Sequence, residues 1–208
     1  MRAFPLSYNE AVRQSSRLSR QLTGETTALL YDGASLILAG FLAAVSAHFL
    51  DFNVKIPGHA ILRTIIPITL GIALVPRRIS GSLIGISASA GTLLIGLTGA
   101  EGIGVGATTS MLLAGPILDA ALWTSASGKS IVLRCAIAGL LINLVAFAVR
   151  GQAKLAGLDS ATAKPLKMWF SGALVSYILC GVIAGLICGL LWFRWNFAGE
   201  NRDRRTAS

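Results

Sequence analysis

Six apolar blocks, at roughly residues 30–50, 58–76, 79–98, 103–124, 130–150 and 170–196, constrain this chain more than any other feature. Crossing the ~30 Å hydrocarbon layer of a bilayer as a helix takes about 20 residues at 1.5 Å each. Inside hydrocarbon a segment must satisfy its own N–H and C=O groups, so blocks of this kind fold as helices. The expected architecture is an all-α integral membrane bundle of six transmembrane helices over residues 29–197. Basic polar tails flank it at 1–28 and 198–208. The second block is the weakest span, because Arg63 and Pro67 interrupt it. Arg63 lies near one end of that block, where its long stem can reach the headgroups.

Composition agrees. Hydrophobic residues make up 54% of the chain and charged residues 13%, whereas a soluble domain carries about a quarter charged residues. The net charge of +9 does not point to nucleic acid, because the basic residues sit in the tails and connections, where positive charge sets topology. With both termini in the cytoplasm, the inner side holds Arg2, Arg13, Arg17, Arg20, Arg77, Arg78, Lys129, Arg134, Arg194, Arg202, Arg204 and Arg205. The outer side then holds Lys55, Arg63, Arg150, Lys154, Lys164 and Lys167. This two-to-one bias supports ends-in. Trp192 and Trp195 around Arg194 read as an interfacial anchor for the last helix. The stretch Tyr8–Leu22 reads either as a short amphipathic surface helix or as a flexible tail. No cleavable signal is expected, since the first apolar run is longer than a signal core.

Small residues recur at helical spacing: Ala39, Ala43 and Ala47 in the first helix, Gly181, Gly185 and Gly189 in the last. Such ridges bring backbones close, either within the bundle or against another membrane subunit. Cys135, Cys180 and Cys188 lie inside apolar blocks without a CxxC pair, and read as small core residues. GIGVG at 102–106 lacks the preceding strand, full glycine pattern and following acid of a dinucleotide loop. Neither a Walker A sequence nor a Ser/His/Asp arrangement is present, and no enzymatic activity is expected.

The polar residues that could carry a function are few. His48 and Asp51, three apart, share a helical face at the outer end of the first helix, and His59 opens the second. Two imidazoles and a carboxylate that converge suit a borderline divalent metal; apart, they make ordinary interfacial hydrogen bonds. Asp119 and Asn143 fall inside blocks four and five. A carboxylate at membrane depth costs about 2.5–3.5 kcal/mol on insertion scales, so Asp119 is expected to pair structurally, with Arg134 or Lys129. Glu101, in a Gly-rich outer turn, reads as a solvated loop charge or a further polar site.

Two stretches, FLDFNVKIPGHAILRTIIPITLGIALVPRR at 49–78 and GAEGIGVGATTSMLLAGP at 99–116, resemble, in order and separation, segments of cobalt/nickel permeases of the CbiM/NikM type. Those proteins are the substrate-capturing (S) components of energy-coupling factor (ECF) importers, ABC-type machines of bacterial inner membranes. The resemblance implies a six-helix bundle docked onto a transmembrane coupling protein and two separate ATPase subunits. It places His59 on the family's metal-binding histidine and makes cobalt or nickel the cargo, with no resident cofactor. The family's amino-terminal Met-His ligand pair reads Met1-Arg2 here, so the implied ligand set becomes His59, His48 and Asp51. Ala39, Gly40, Ala43 and Ala47 resemble the family's partner-docking ridge. The alternatives are a vitamin or other small organic substrate on the same scaffold, or a membrane scaffold protein without transport.

Overall fold

The computed structural model describes residues 25–50, 57–98, 104–123, 128–157 and 166–194. Among them the chain forms helices α1 (Glu25–Phe49), α2 (Ala60–Leu74), α3 (Ser80–Leu97), α4 (Val105–Trp123), α5 (Gly128–Leu155) and α6 (Leu166–Cys188). The last continues as a π-helical stretch, Gly189–Arg194. Five of these helices are long and apolar enough to cross a membrane. Large apolar side chains point outward from them, as at Leu97 and Leu30, which are 83% and 73% exposed. Water would penalise such a surface, whereas lipid accepts it.

The exception is α2. The second expected span is a helix of 15 residues, about 22 Å long and short of the hydrocarbon thickness. Its limits are set by two local breaks. Gly58 adopts φ +85°, a left-handed conformation that glycine takes without a Cβ penalty. At the other end Val75 precedes Pro76, and a residue before proline is driven out of the helical region; its φ is −125° and ψ is 76°. Pro67 sits inside the helix without ending it.

This short helix is the centre of the molecule. Packing runs α1–α3–α4–α5–α6 as an open arc, and α2 packs against all five. Ile61, Ile65, Ile68 and Ile72 of α2 are fully buried, at the three- and four-residue spacing of one helical face. They meet Leu36 and Ala43 of α1, Ile84 of α3, Met111 and Leu118 of α4, and Ile142 of α5 in one core.

Small residues close the arc. On α3 the buried stripe Gly81, Gly85, Ala88 and Thr92 faces α4; a methyl added at Gly85 would sit 3.0 Å from the Met111 carbonyl. The Gly181–Gly185–Gly189 ridge lies on α5, where a methyl at Gly181 would reach 2.6 Å from the Gly139 carbonyl. The α1 ridge is likewise used inside the chain. Gly40 packs on Ile84, Ser87 and Ala88 of α3, Ala39 approaches Gly71 of α2, and Ala44 approaches Gly91 of α3. Ala43 is fully buried, and Ala47 packs against the core. The residues expected to dock a partner therefore hold α1 to its own bundle, because dispersion contacts at close backbone approach are what joins helices in lipid.

Two boundaries also move. The fifth helix continues to Leu155 and the sixth starts at Leu166, so much of the expected polar loop 151–169 is helical. The first helix begins at Glu25, inside the expected tail. The remainder of both tails, Trp195, Asp51 and Glu101 lie outside the described residues.

Candidate functional site

The polar groups of the bundle gather at its two ends. The His59 end is built on the turn that opens α2. Asn143 of α5 donates from Nδ2 to the Gly58 carbonyl at 3.3 Å and to the Tyr177 carbonyl of α6 at 2.6 Å. One buried amide thereby ties the start of α2 to both neighbours. Twelve residues of α5 lie beyond Asn143, about 18 Å of helix. The α2 turn is thus recessed well below the tips of α5 and α6.

One turn into α2, Arg63 connects to α1. Its Nη1 donates to the Ala47 carbonyl at 3.4 Å, and Ser46 Oγ donates to the Arg63 carbonyl at 3.1 Å. Arg63 Nη2 lies 2.6 Å from His59 Nε2. A guanidinium can only donate, so Nε2 is the acceptor and the imidazole proton sits on Nδ1. His59 therefore has its basic nitrogen turned to a cation. His48 lies in the last turn of α1, half-buried, its ring edge-on to Phe49 at 5.0 Å. Of the three expected metal ligands two are described, and Asp51 lies beyond. Among the described residues no three His, Cys, Asp or Glu side chains gather as a metal would require.

Beside this turn, Tyr177 packs its ring against Gly58 and against Phe147 at 5.4 Å. Phe147 in turn stacks on Trp169 at 5.4 Å and 11°. Lys154 Nζ lies 5.9 Å over the Trp169 ring.

The opposite end is sewn by charge. Asp119, expected to pair with Arg134 or Lys129, instead receives the start of α3: Gly81 N–H donates to Oδ1 at 2.8 Å, while Ser82 N–H and Oγ–H donate to Oδ2 at 2.7 Å each. The reason is geometric. The first amides of a helix have no partner within it and carry partial positive charge, and the Gly81–Gly115 approach brings them onto α4. Arg134 donates to Ser130 Oγ at 3.0 Å and to the Ala121 carbonyl at 3.5 Å; the Lys129 side chain lies outside the description. In the α2–α3 connection, Arg77 pairs with Asp32 of α1, with Nε to Oδ2 at 2.7 Å. Arg78 lies over the Trp123 ring of α4, 3.7 Å from its centroid. Ser80 Oγ donates to the Val75 carbonyl at 2.6 Å. The three cysteines are free thiols, with Cys135 and Cys188 in the core.

The His59–Arg63 pair was legible in principle, as an i, i+4 spacing on a helix. Tyr177 had no such signal, since a tyrosine within an apolar block reads as core. Compared with protein-family models, curated proteins and solved structures, the chain matches none of them.

Proposed function

We propose that this chain is the substrate-capturing membrane subunit of an importer of the energy-coupling factor type. In this reading its six helices lie in a bacterial inner membrane with both termini in the cytoplasm, and α2 completes the six without spanning alone. It works with a separate coupling protein and two ATPase subunits. The observation that carries the reading is the recessed opening of α2. A short central helix, packed against all five others, leaves its His59 end well inside the bundle, as a subunit that admits a small molecule from one side requires. The basic residues put that end outside, and the Asp119–α3 clasp closes the cytoplasmic one. Resemblance of residues 49–78 and 99–116 to cobalt/nickel permeases supports the same assignment.

Two substrate classes follow. The resemblance favours cobalt or nickel on His59, His48 and Asp51. The geometry favours a small organic molecule, because Arg63 Nη2 lies on the His59 nitrogen that a metal would take. Elemental analysis of protein grown with added Co²⁺ and Ni²⁺ separates the two: about one metal ion per chain, lost in His59→Ala, establishes the metal reading. The importer assignment is tested by co-expressing the tagged chain with its genomic neighbours. The expected result is a complex with a multi-pass membrane protein and two Walker-motif ATPases. A chain that purifies alone from that co-expression overturns it.

A further inference from the structure

The connection between α2 and α3 carries two arginines in succession, and the chain treats them differently. Ser80 Oγ fastens the turn, donating to the Val75 carbonyl at 2.6 Å and accepting from the Arg77 N–H at 3.0 Å. From that held backbone, Arg77 reaches Asp32 of α1, which balances its charge. Arg78 reaches the other way, over the Trp123 ring at the end of α4, 3.7 Å from its centroid. An indole face offers a quadrupole and not a charge, so Arg78 keeps its full positive charge. Its side chain is exposed. The nearby carboxylates are engaged elsewhere, Asp32 with Arg77 and Asp119 with the start of α3. Among the described residues, none accepts a hydrogen bond from the Arg78 guanidinium.

The surface around this cation is apolar. Leu74, the last residue of α2, is 72% exposed; Ile79, which opens α3, is 68% exposed; Trp123 is 37% exposed. Three helices thus end together on exposed apolar side chains with one unbalanced arginine among them. That is the chemistry of the layer where hydrocarbon gives way to headgroups, the level that interfacial tryptophans favour. A soluble anion would gain nothing from Leu74 and Ile79. A phospholipid satisfies both features, because its phosphate matches the guanidinium fork and its acyl chains cover the apolar residues.

We propose that Arg78, held on Trp123, binds the phosphate of an anionic phospholipid whose acyl chains lie against Leu74 and Ile79. The inference requires only that the bundle lies in a bilayer, and is independent of any cargo.

The test uses the full chain, purified in mild detergent and washed free of native lipid. It is titrated with dioleoyl phosphatidylglycerol and dioleoyl phosphatidylcholine, and bound lipid is counted by native mass spectrometry. The anionic lipid is expected to bind at least fivefold more tightly, the usual size of one basic residue at an anionic bilayer surface. Arg78→Gln, at an exposed position, should fold normally and lose that preference. Arg77→Gln removes the same charge one residue away, from a pair open to water, and should keep affinity within about twofold of the parent. A tenfold excess of inorganic phosphate is expected not to displace the lipid. Equal affinity for the two lipids, or an unchanged preference in Arg78→Gln, overturns the site. Equal losses in Arg77→Gln and Arg78→Gln overturn it too, since net charge alone then explains the binding. Displacement by inorganic phosphate would mean a site for the free ion. If Arg78→Gln spares lipid binding but breaks the complex with the genomic neighbours, the surface serves a protein and the lipid proposal falls.

Discussion

At the two ends of this bundle, Asp119 and Asn143 join helices by different means. At the Arg77 end, Asp32 and Asp119 are met by a guanidinium and by helix-terminal amides, and Arg78 lies on an indole. At the His59 end Asn143, a neutral amide, donates to two carbonyl oxygens, and the Arg63 guanidinium donates to a third. Charge-assisted hydrogen bonds are roughly twice as strong as neutral ones. The Asp119 clasp is therefore the stronger contact and the Asn143 seam the weaker.

The largest effect expected is from breaking the clasp. Asp119→Ala leaves three donors of α3 without an acceptor at a position only 8% exposed. It should destabilise the folded chain by about 3 kcal/mol, read as a lowered unfolding midpoint in detergent. Asp119→Asn keeps one acceptor oxygen and should lose less. Equal losses in both variants would mean that the carboxylate's charge, and not its count of acceptors, holds α3. The corresponding cut at the seam is Asn143→Leu, which strips the Gly58 and Tyr177 carbonyls of their shared donor. Interhelical hydrogen bonds of this neutral kind average well below 2 kcal/mol each in membranes, so a loss of about 1.5 kcal/mol is expected. A loss larger than that of Asp119→Ala would reverse the ranking of the two contacts.

Arg77→Ala comes next. Its side chain and that of Asp32 are 24% and 23% exposed, and a pair open to water contributes little, about 0.5 kcal/mol. The sharper consequence is local: hydrogen exchange of the α2–α3 connection should speed up while the α5–α6 amides stay protected.

What could be read from the chain in advance follows from the range of the forces involved. The apolar blocks were legible because a bilayer imposes one requirement on every residue of a span. The weakness of the second was legible from Arg63 and Pro67, but its true length depends on Gly58 and Pro76, which act at the ends. The small-residue ridges were legible as close-packing surfaces. Which neighbour each would meet was not, because spacing carries no information about the helix opposite. Asp119 was legible as a carboxylate in need of a partner, but its partners are not basic side chains. Its partners are backbone amides, which every residue except proline carries and no sequence pattern marks. At the candidate site, His59 and Asn143 stood out as polar residues in apolar blocks, while Tyr177 did not.

Tyr177 also provides the smallest expected change in stability and the sharpest contrast. At Asp119, Asn143 and Arg77 the polar atoms removed are bound to the chain, so their loss must weaken the fold. The Tyr177 hydroxyl bonds to none of the described residues, while the ring carries the packing on Phe147 and Gly58. Tyr177→Phe should therefore leave the unfolding midpoint within about 0.5 kcal/mol of the parent. Asn143→Leu, one hydrogen bond away, should not behave so. If Tyr177→Phe destabilises the chain as much as Asn143→Leu, the hydroxyl serves the fold. If it costs nothing, the ring alone carries the contribution of this position to the fold.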